Sequence, residues 1–94
     1  MGKSLLQNDK YCIVCGTSID IQYHHIYFGV ANRRLSDEDG CTCYICMAHH
    51  TGILGVHHNR ELDIGLKQLC QNAWQEHYNK TTDDFIKRYG KNYL

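Results

Sequence analysis

The run Ile45-Cys46-Met47-Ala48-His49-His50 decides how this chain is read. The residues before it, from Thr42 to Cys46, are short and β-prone, and Met47 to His50 starts a helix or turn. A thiolate and an imidazole two residues apart at such a junction supply half of a tetrahedral metal shell. The other half stands upstream in Cys12-Ile13-Val14-Cys15, followed by Gly16, where a knuckle benefits from a residue that tolerates positive φ. Two pairs at this spacing are how a short chain wraps one Zn²⁺, which takes four soft or borderline ligands. Cys12, Cys15, Cys46 and His49 are therefore the expected structural zinc ligands. The alternative is a set of buried free thiols and a hydrogen-bonded core histidine.

Working outward, His50 directly follows a zinc ligand and must point elsewhere. Tyr23-His24-His25-Ile26 lies between the two pairs, and Val56-His57-His58 lies beyond them. On a strand, His24 and His25 face opposite sides, so the two divide their roles. Any one of these histidines, taken alone, reads more readily as a surface or core residue. Their concentration around a zinc knuckle points instead to a second site.

The chain has 94 residues, which allows one domain, residues 1–94, with a core small enough that a metal staple is a plausible supplement. Six cysteines admit a secreted disulfide scaffold or a reduced metal-binding protein. The ligand spacing and the lack of an apolar leader favour the second, with no membrane span and a cytoplasmic location as expectations. Cys41 and Cys43 stand near the zinc pairs as competing ligands, whereas Cys70 reads as a buried small hydrophobe. Ten basic residues balance ten acidic ones, which argues against a grip on nucleic acid by bulk charge. Local basic contacts remain open at Arg33-Arg34 and at Lys87, Arg88 and Lys91.

The pattern predicts a frayed or briefly helical lead-in over residues 1–9 and a strand over 19–28 ended by Gly29. Residues 31–40 read as a polar loop with at most a helical turn. A helix over 59–78 is predicted from the stripe Leu62, Leu66, Leu69, Cys70, Ala73, Trp74, His77 and Tyr78, with Lys67 and Gln71 mostly off it. A short helix over 82–89 follows, with Thr81 and Asp84 as a capping box and Gly90 as its terminator.

The order CxxCG, HHI, CxxHH and VH resembles the HNH endonucleases, a branch of the ββα-metal nucleases. Tyr23 to Gly29, Ala31-Asn32-Arg33-Arg34, Ile45 to His50, Val56-His57, Leu66-Lys67-Gln68 and Tyr89 to Leu94 are similar to small phage-type HNH proteins, some of them recombination-linked nucleases. The resemblance spans nearly the whole chain. It implies a small α+β fold: a ββα-metal finger with a zinc knuckle, then a long helix and a short terminal helix.

The resemblance also implies a metal-dependent DNA endonuclease in a bacterial or phage-infected cell, with DNA as partner. It makes His24, His50 and His57 ligands of one catalytic divalent metal, with His58 as the alternative to His57. It makes His25 the general base and Cys12, Cys15, Cys46 and His49 the structural zinc site. One departure stands out. The position of the family's middle asparagine, which orients the base, is Cys41 or Thr42 here, and Asn32 and Asn59 lie off that spacing.

The chemistry suits those roles. An imidazole, ordinarily titrating near about 6.5, is a competent base near neutrality. A divalent ion with few protein ligands leaves positions for phosphate and water. Imidazoles suit Zn²⁺, Ni²⁺ or Mn²⁺ better than Mg²⁺, so the catalytic ion stays open among the four. Arg33 and Arg34 are candidate DNA contacts or ordinary solvated charges. The competing function is a non-catalytic zinc module that binds nucleic acid or protein.

Overall fold

The computed structural model describes residues 4–53 and 55–94. Its elements run β1 (Ile21–His25), α1 (Val30–Asp39), β2 (Thr42–Cys46), α2 (Met47–His50), α3 (Arg60–His77) and α4 (Thr82–Tyr89). The chain is a small compact α+β protein. β1 and β2 form a two-stranded antiparallel sheet in which Ile21 faces Cys46, Tyr23 faces Tyr44 and His25 faces Thr42. Among the described residues, no helix is long and apolar enough to cross a membrane.

β1 is shorter than the predicted 19–28. Asp20 takes φ 52°, which ends the extended run on one side and leaves Ile19 exposed. On the other side Ile26 N–H still donates to Cys41 O at 3.0 Å, but Tyr27 N–H donates to Ser36 Oγ at 3.2 Å. The chain thus leaves β2 for α1. Tyr27 then anchors the exit: it is 1% exposed, donates to Lys67 O at 2.6 Å, and packs on Phe85, Tyr89 and Tyr93.

α1 corrects the predicted loop over 31–40. Apolar periodicity did not reveal it because its buried positions are polar, Ser36 and Asp39. Ser36 Oγ donates to Tyr27 O at 2.7 Å. The Asp39 carboxylate accepts from Trp74 Nε1 at 2.9 Å, from Tyr89 OH at 2.8 Å and from the Arg88 guanidinium, with Arg88 Nη2 at 2.8 Å. One buried carboxylate therefore ties α1 to both C-terminal helices. It also removes Arg88 from the basic spot expected around Lys87 and Lys91.

α3 starts at the predicted place because the Asn59 side chain accepts from Leu62 N–H at 3.2 Å, satisfying a free helix-end donor. Its buried face is rotated from the predicted stripe. Lys67 and Gln71 are buried, while Leu69 is half-exposed. Lys67 Nζ donates to Asp63 at 2.8 Å and lies 4.2 Å above the Phe28 ring. Gln71 is satisfied by Gln75, Asn92 and the Tyr93 backbone. α4 follows the prediction, including the capping box of Thr81 and Asp84 and the left-handed Gly90 at its end.

The described part of the lead-in is neither frayed nor helical. Leu5 N–H donates to Gly40 O at 2.8 Å. The buried Gln7 amide bridges Tyr11 O and Tyr44 N–H at 2.6 and 2.7 Å. Residues 1–3, the rest of that predicted segment, fall outside the described residues.

Candidate metal centre and cleft

The knuckle is a turn built on its own backbone. Gly16 N–H reaches Cys12 O at 2.8 Å with Gly16 at φ 79°, and Cys12 N–H reaches Thr17 O at 2.8 Å. Ile13 N–H donates to Tyr44 O at 3.0 Å, which lays the knuckle along β2 and brings Cys12 and Cys15 to Cys46, the last residue of that strand. The donor atoms of Cys12, Cys15, Cys46 and His49 lie within 4.8 Å of one another. Cys15 Sγ is 3.8 Å from Cys46 Sγ, and His49 Nδ1 is 3.2 Å from Cys46 Sγ and 3.9 Å from Cys12 Sγ. Thiolates held about 2.3 Å from a tetrahedral ion are about 3.8 Å apart, so the set is compatible with Zn²⁺. Burial alone would raise the Cys12 thiol. Backbone amides of Cys46, Cys15 and Val14 outweigh it and bring it down to about 6, toward the thiolate a metal requires.

All six cysteines are free. Cys41 and Cys43 are fully buried away from the four-ligand set. Cys41 Sγ lies 3.4 Å from Tyr89 OH, whose proton goes to Asp39, and burial pushes the Cys43 thiol up to about 12. Cys70 is buried, as read from its helix face.

The histidines form a second group on the other side of the same junction. Strand alternation sends Gln22 and His24 to one face of β1 and Tyr23 and His25 to the other. His24 meets His50 from α2 and His57 from the following loop, and donor atoms of the three lie within 4.8 Å of one another. His57 is brought back because Val56 N–H donates to His49 O at 2.8 Å and Gly55 packs on the α2 carbonyls. A Cβ on Gly55 would stand 2.7 Å from His50 O, so the close approach needs glycine. The structure thus groups His57, not His58, with His24 and His50.

A hydrogen bond sets the tautomer of His50. His50 Nδ1 is 2.6 Å from Gln22 Oε1, an acceptor, so this nitrogen carries the proton and Nε2 carries the lone pair. His50 Nε2 is 3.1 Å from His57 Nε2. His24 Nε2 is buried without a hydrogen-bond partner among the described residues. An orphaned buried imidazole nitrogen is costly unless something outside the chain binds it. Burial, with His50 and His57 adjacent, drives the His24 imidazole down to about 3, which keeps it neutral and able to donate a lone pair. Burial and His57 lower His50 as well. The three imidazoles therefore fit a divalent ion on geometry, and burial holds His24 and His50 toward the neutral, lone-pair form.

These residues sit in a cleft of about 390 Å³ lined also by Tyr23, His25, Phe28, Gly29, Val30 and Arg33. His25 Nε2 lies 3.0 Å from Asp37 Oδ1, and Tyr23 OH donates to the same oxygen at 3.1 Å. Asp37 was not among the residues singled out by sequence. It lies on the helix read as a loop, and no motif marks it. Arg33 reaches the cleft, while Arg34, one residue along the helix, is exposed outside its lining. Asn32 donates to Tyr89 O at 3.3 Å and Asn59 caps α3, so neither serves the cleft.

Searches against protein-family models, curated proteins and solved structures returned no match.

Proposed function

We propose that this chain is a metal-dependent endonuclease of the HNH kind that hydrolyses phosphodiester bonds in DNA. The observation that carries the reading is the grouping of His24, His50 and His57, with His24 Nε2 buried and unpartnered among the described residues, in a cleft that also holds His25 and Arg33. In this reading β1, β2 and α2 are the ββα-metal finger, and Cys12, Cys15, Cys46 and His49 hold a structural zinc beneath it.

His24, His50 and His57 would hold the catalytic ion, which when bound neutralises charge on the scissile phosphate and the leaving oxygen. The chain's own residues do the rest. Arg33 holds a phosphate at the cleft mouth by charge-assisted hydrogen bonds. His25 takes a proton from water. The O–H electron pair stays on the oxygen that attacks phosphorus, the bond to the 3′ oxygen breaks, and that oxygen is protonated from solvent. The three-imidazole set favours Zn²⁺, Ni²⁺ or Mn²⁺ over Mg²⁺.

The test is plasmid cleavage across these four ions, with native mass spectrometry to count bound metals. Two metals per chain are expected, and ion-dependent nicking that falls about 10² to 10⁴-fold in His25→Ala. A single tightly bound metal and no cleavage would instead favour the non-catalytic zinc module.

A further inference from the structure

We infer that Asp37 is the positioning residue for His25: its carboxylate fixes the imidazole in the Nε2–H tautomer and leaves Nδ1 as the nitrogen that accepts a proton. The inference rests on the nuclease reading for its catalytic consequence, but its structural content stands apart from it.

An ionised carboxylate only accepts hydrogen bonds. With Asp37 Oδ1 3.0 Å from His25 Nε2, that nitrogen must be the donor. The neutral ring then has its lone pair on Nδ1. The arrangement is held from several sides. Tyr23 OH donates to the same Oδ1 at 3.1 Å, and the Tyr23 ring stands edge-on to His25 with centroids 5.1 Å apart and planes at 90°. Tyr23 and His25 are alternate residues of β1, so the strand sets their spacing, while α1 delivers the carboxylate from across the cleft wall. The His25 side chain is 14% exposed and that of Asp37 47% exposed, so the imidazole is the enclosed member of the pair.

No asparagine orients the base. The motif's position holds Cys41 or Thr42, whose Oγ1 makes no hydrogen bond among the described residues, and Asn32 and Asn59 are bonded elsewhere. Asp37 reaches His25 from the helix between the strands instead. Beyond setting the tautomer, a carboxylate there stabilises the imidazolium that forms when His25 takes a proton from water.

The experiment reads the tautomer and the kinetics separately. Long-range ¹H–¹⁵N correlation of the zinc-loaded protein, about two pH units above the ordinary imidazole value, reports which His25 nitrogen is protonated. The wild type is expected to show Nε2–H, and Asp37→Ala a mixture of both tautomers. In cleavage assays Asp37→Ala should lower kcat about 10 to 100-fold, with KM for DNA within about twofold. Asp37→Asn, which keeps an acceptor oxygen facing Nε2–H and Tyr23 OH, should recover most of that loss.

An Nδ1–H tautomer in the wild type would overturn the inference without any variant. So would an unchanged tautomer in Asp37→Ala, or a change in KM alone. If the wild type cuts DNA with none of the ions, the nuclease reading falls, and the tautomer spectra still decide for or against Asp37.

Discussion

Asp39→Ala tests how the C-terminal helices hold the wall of the cleft. The mutation removes the acceptor shared by Trp74 Nε1, Tyr89 OH and the Arg88 guanidinium. Trp74 is 4% exposed and loses its indole acceptor, leaving a buried unsatisfied donor that costs about 1–3 kcal/mol. Tyr89 OH falls back on Leu35 O, already 3.1 Å away, so its loss is small. The Arg88 side chain is 34% exposed and turns to water, so its ion pair is discounted to about 1 kcal/mol. The total is about 3 kcal/mol, a large part of the 5–15 kcal/mol typical of a domain. At this size it should lower Tm by about 15 °C.

Trp74 is the single tryptophan of the chain, so its fluorescence reports urea unfolding from the mutated spot itself. The control is Glu38→Ala. It removes only the exposed Arg88 partner at 3.0 Å and should cost under about 0.5 kcal/mol. A loss under about 1 kcal/mol for Asp39→Ala would refute the reasoning, because desolvation of the carboxylate would then cancel its hydrogen bonds.

Replacing Cys46 with alanine should release one zinc per chain and unfold the finger, seen by native mass spectrometry and loss of amide dispersion, because structural zinc binding is folding energy. His24→Ala should leave that zinc in place and abolish binding of the second ion, measured by calorimetric titration with Ni²⁺. Gly55→Ala should weaken the second ion more than the zinc, since the added Cβ pushes the loop carrying His57 off the His50 carbonyl; equal loss at both sites would contradict this. The His24 imidazole, pushed down to about 3 in the folded chain, binds fewer protons there than when unfolded. Between the ordinary histidine value and about pH 3 the unfolded state therefore gains protons, and this contribution to stability falls as pH falls. Urea midpoints of wild type and His24→Ala between pH 7 and pH 5, with the second ion left out, should converge.

Much of the framework could be read from residues alone. The CxxC and CxxH pairs announce themselves by spacing, the boundaries of β2, α3 and α4 by β-branched residues and caps, and His24 against His25 by strand alternation. What escaped reading shares one cause. α1, the rotation of the α3 face and the role of Asp37 all rest on polar side chains paired across the fold, as with Asp39 and Trp74 or Gln71 and Tyr93. Apolar periodicity cannot register a buried face made of Ser36, Asp39, Lys67 and Gln71, because each of those residues looks solvated until its partner is known. The resemblance names His57 with His58 as its alternative, and the backbone bonds of the following loop to His49 and His50 bring His57 to the group.

The adjacency of His49 and His50 makes the two sites unequal. A ligand of the cysteine-bound site and a ligand of the histidine cluster are consecutive residues of a four-residue helix, and the loop bringing His57 bonds back to the carbonyls of both. An ion in the histidine cluster would find its donors arranged only after the helix has been pinned from below, whereas the lower site needs nothing from the upper one. Under the proposed reading, filling is thus ordered in one direction. In that reading, loss of the cysteine-bound ion would disorganise the histidine cluster too, whatever the supply of the second ion.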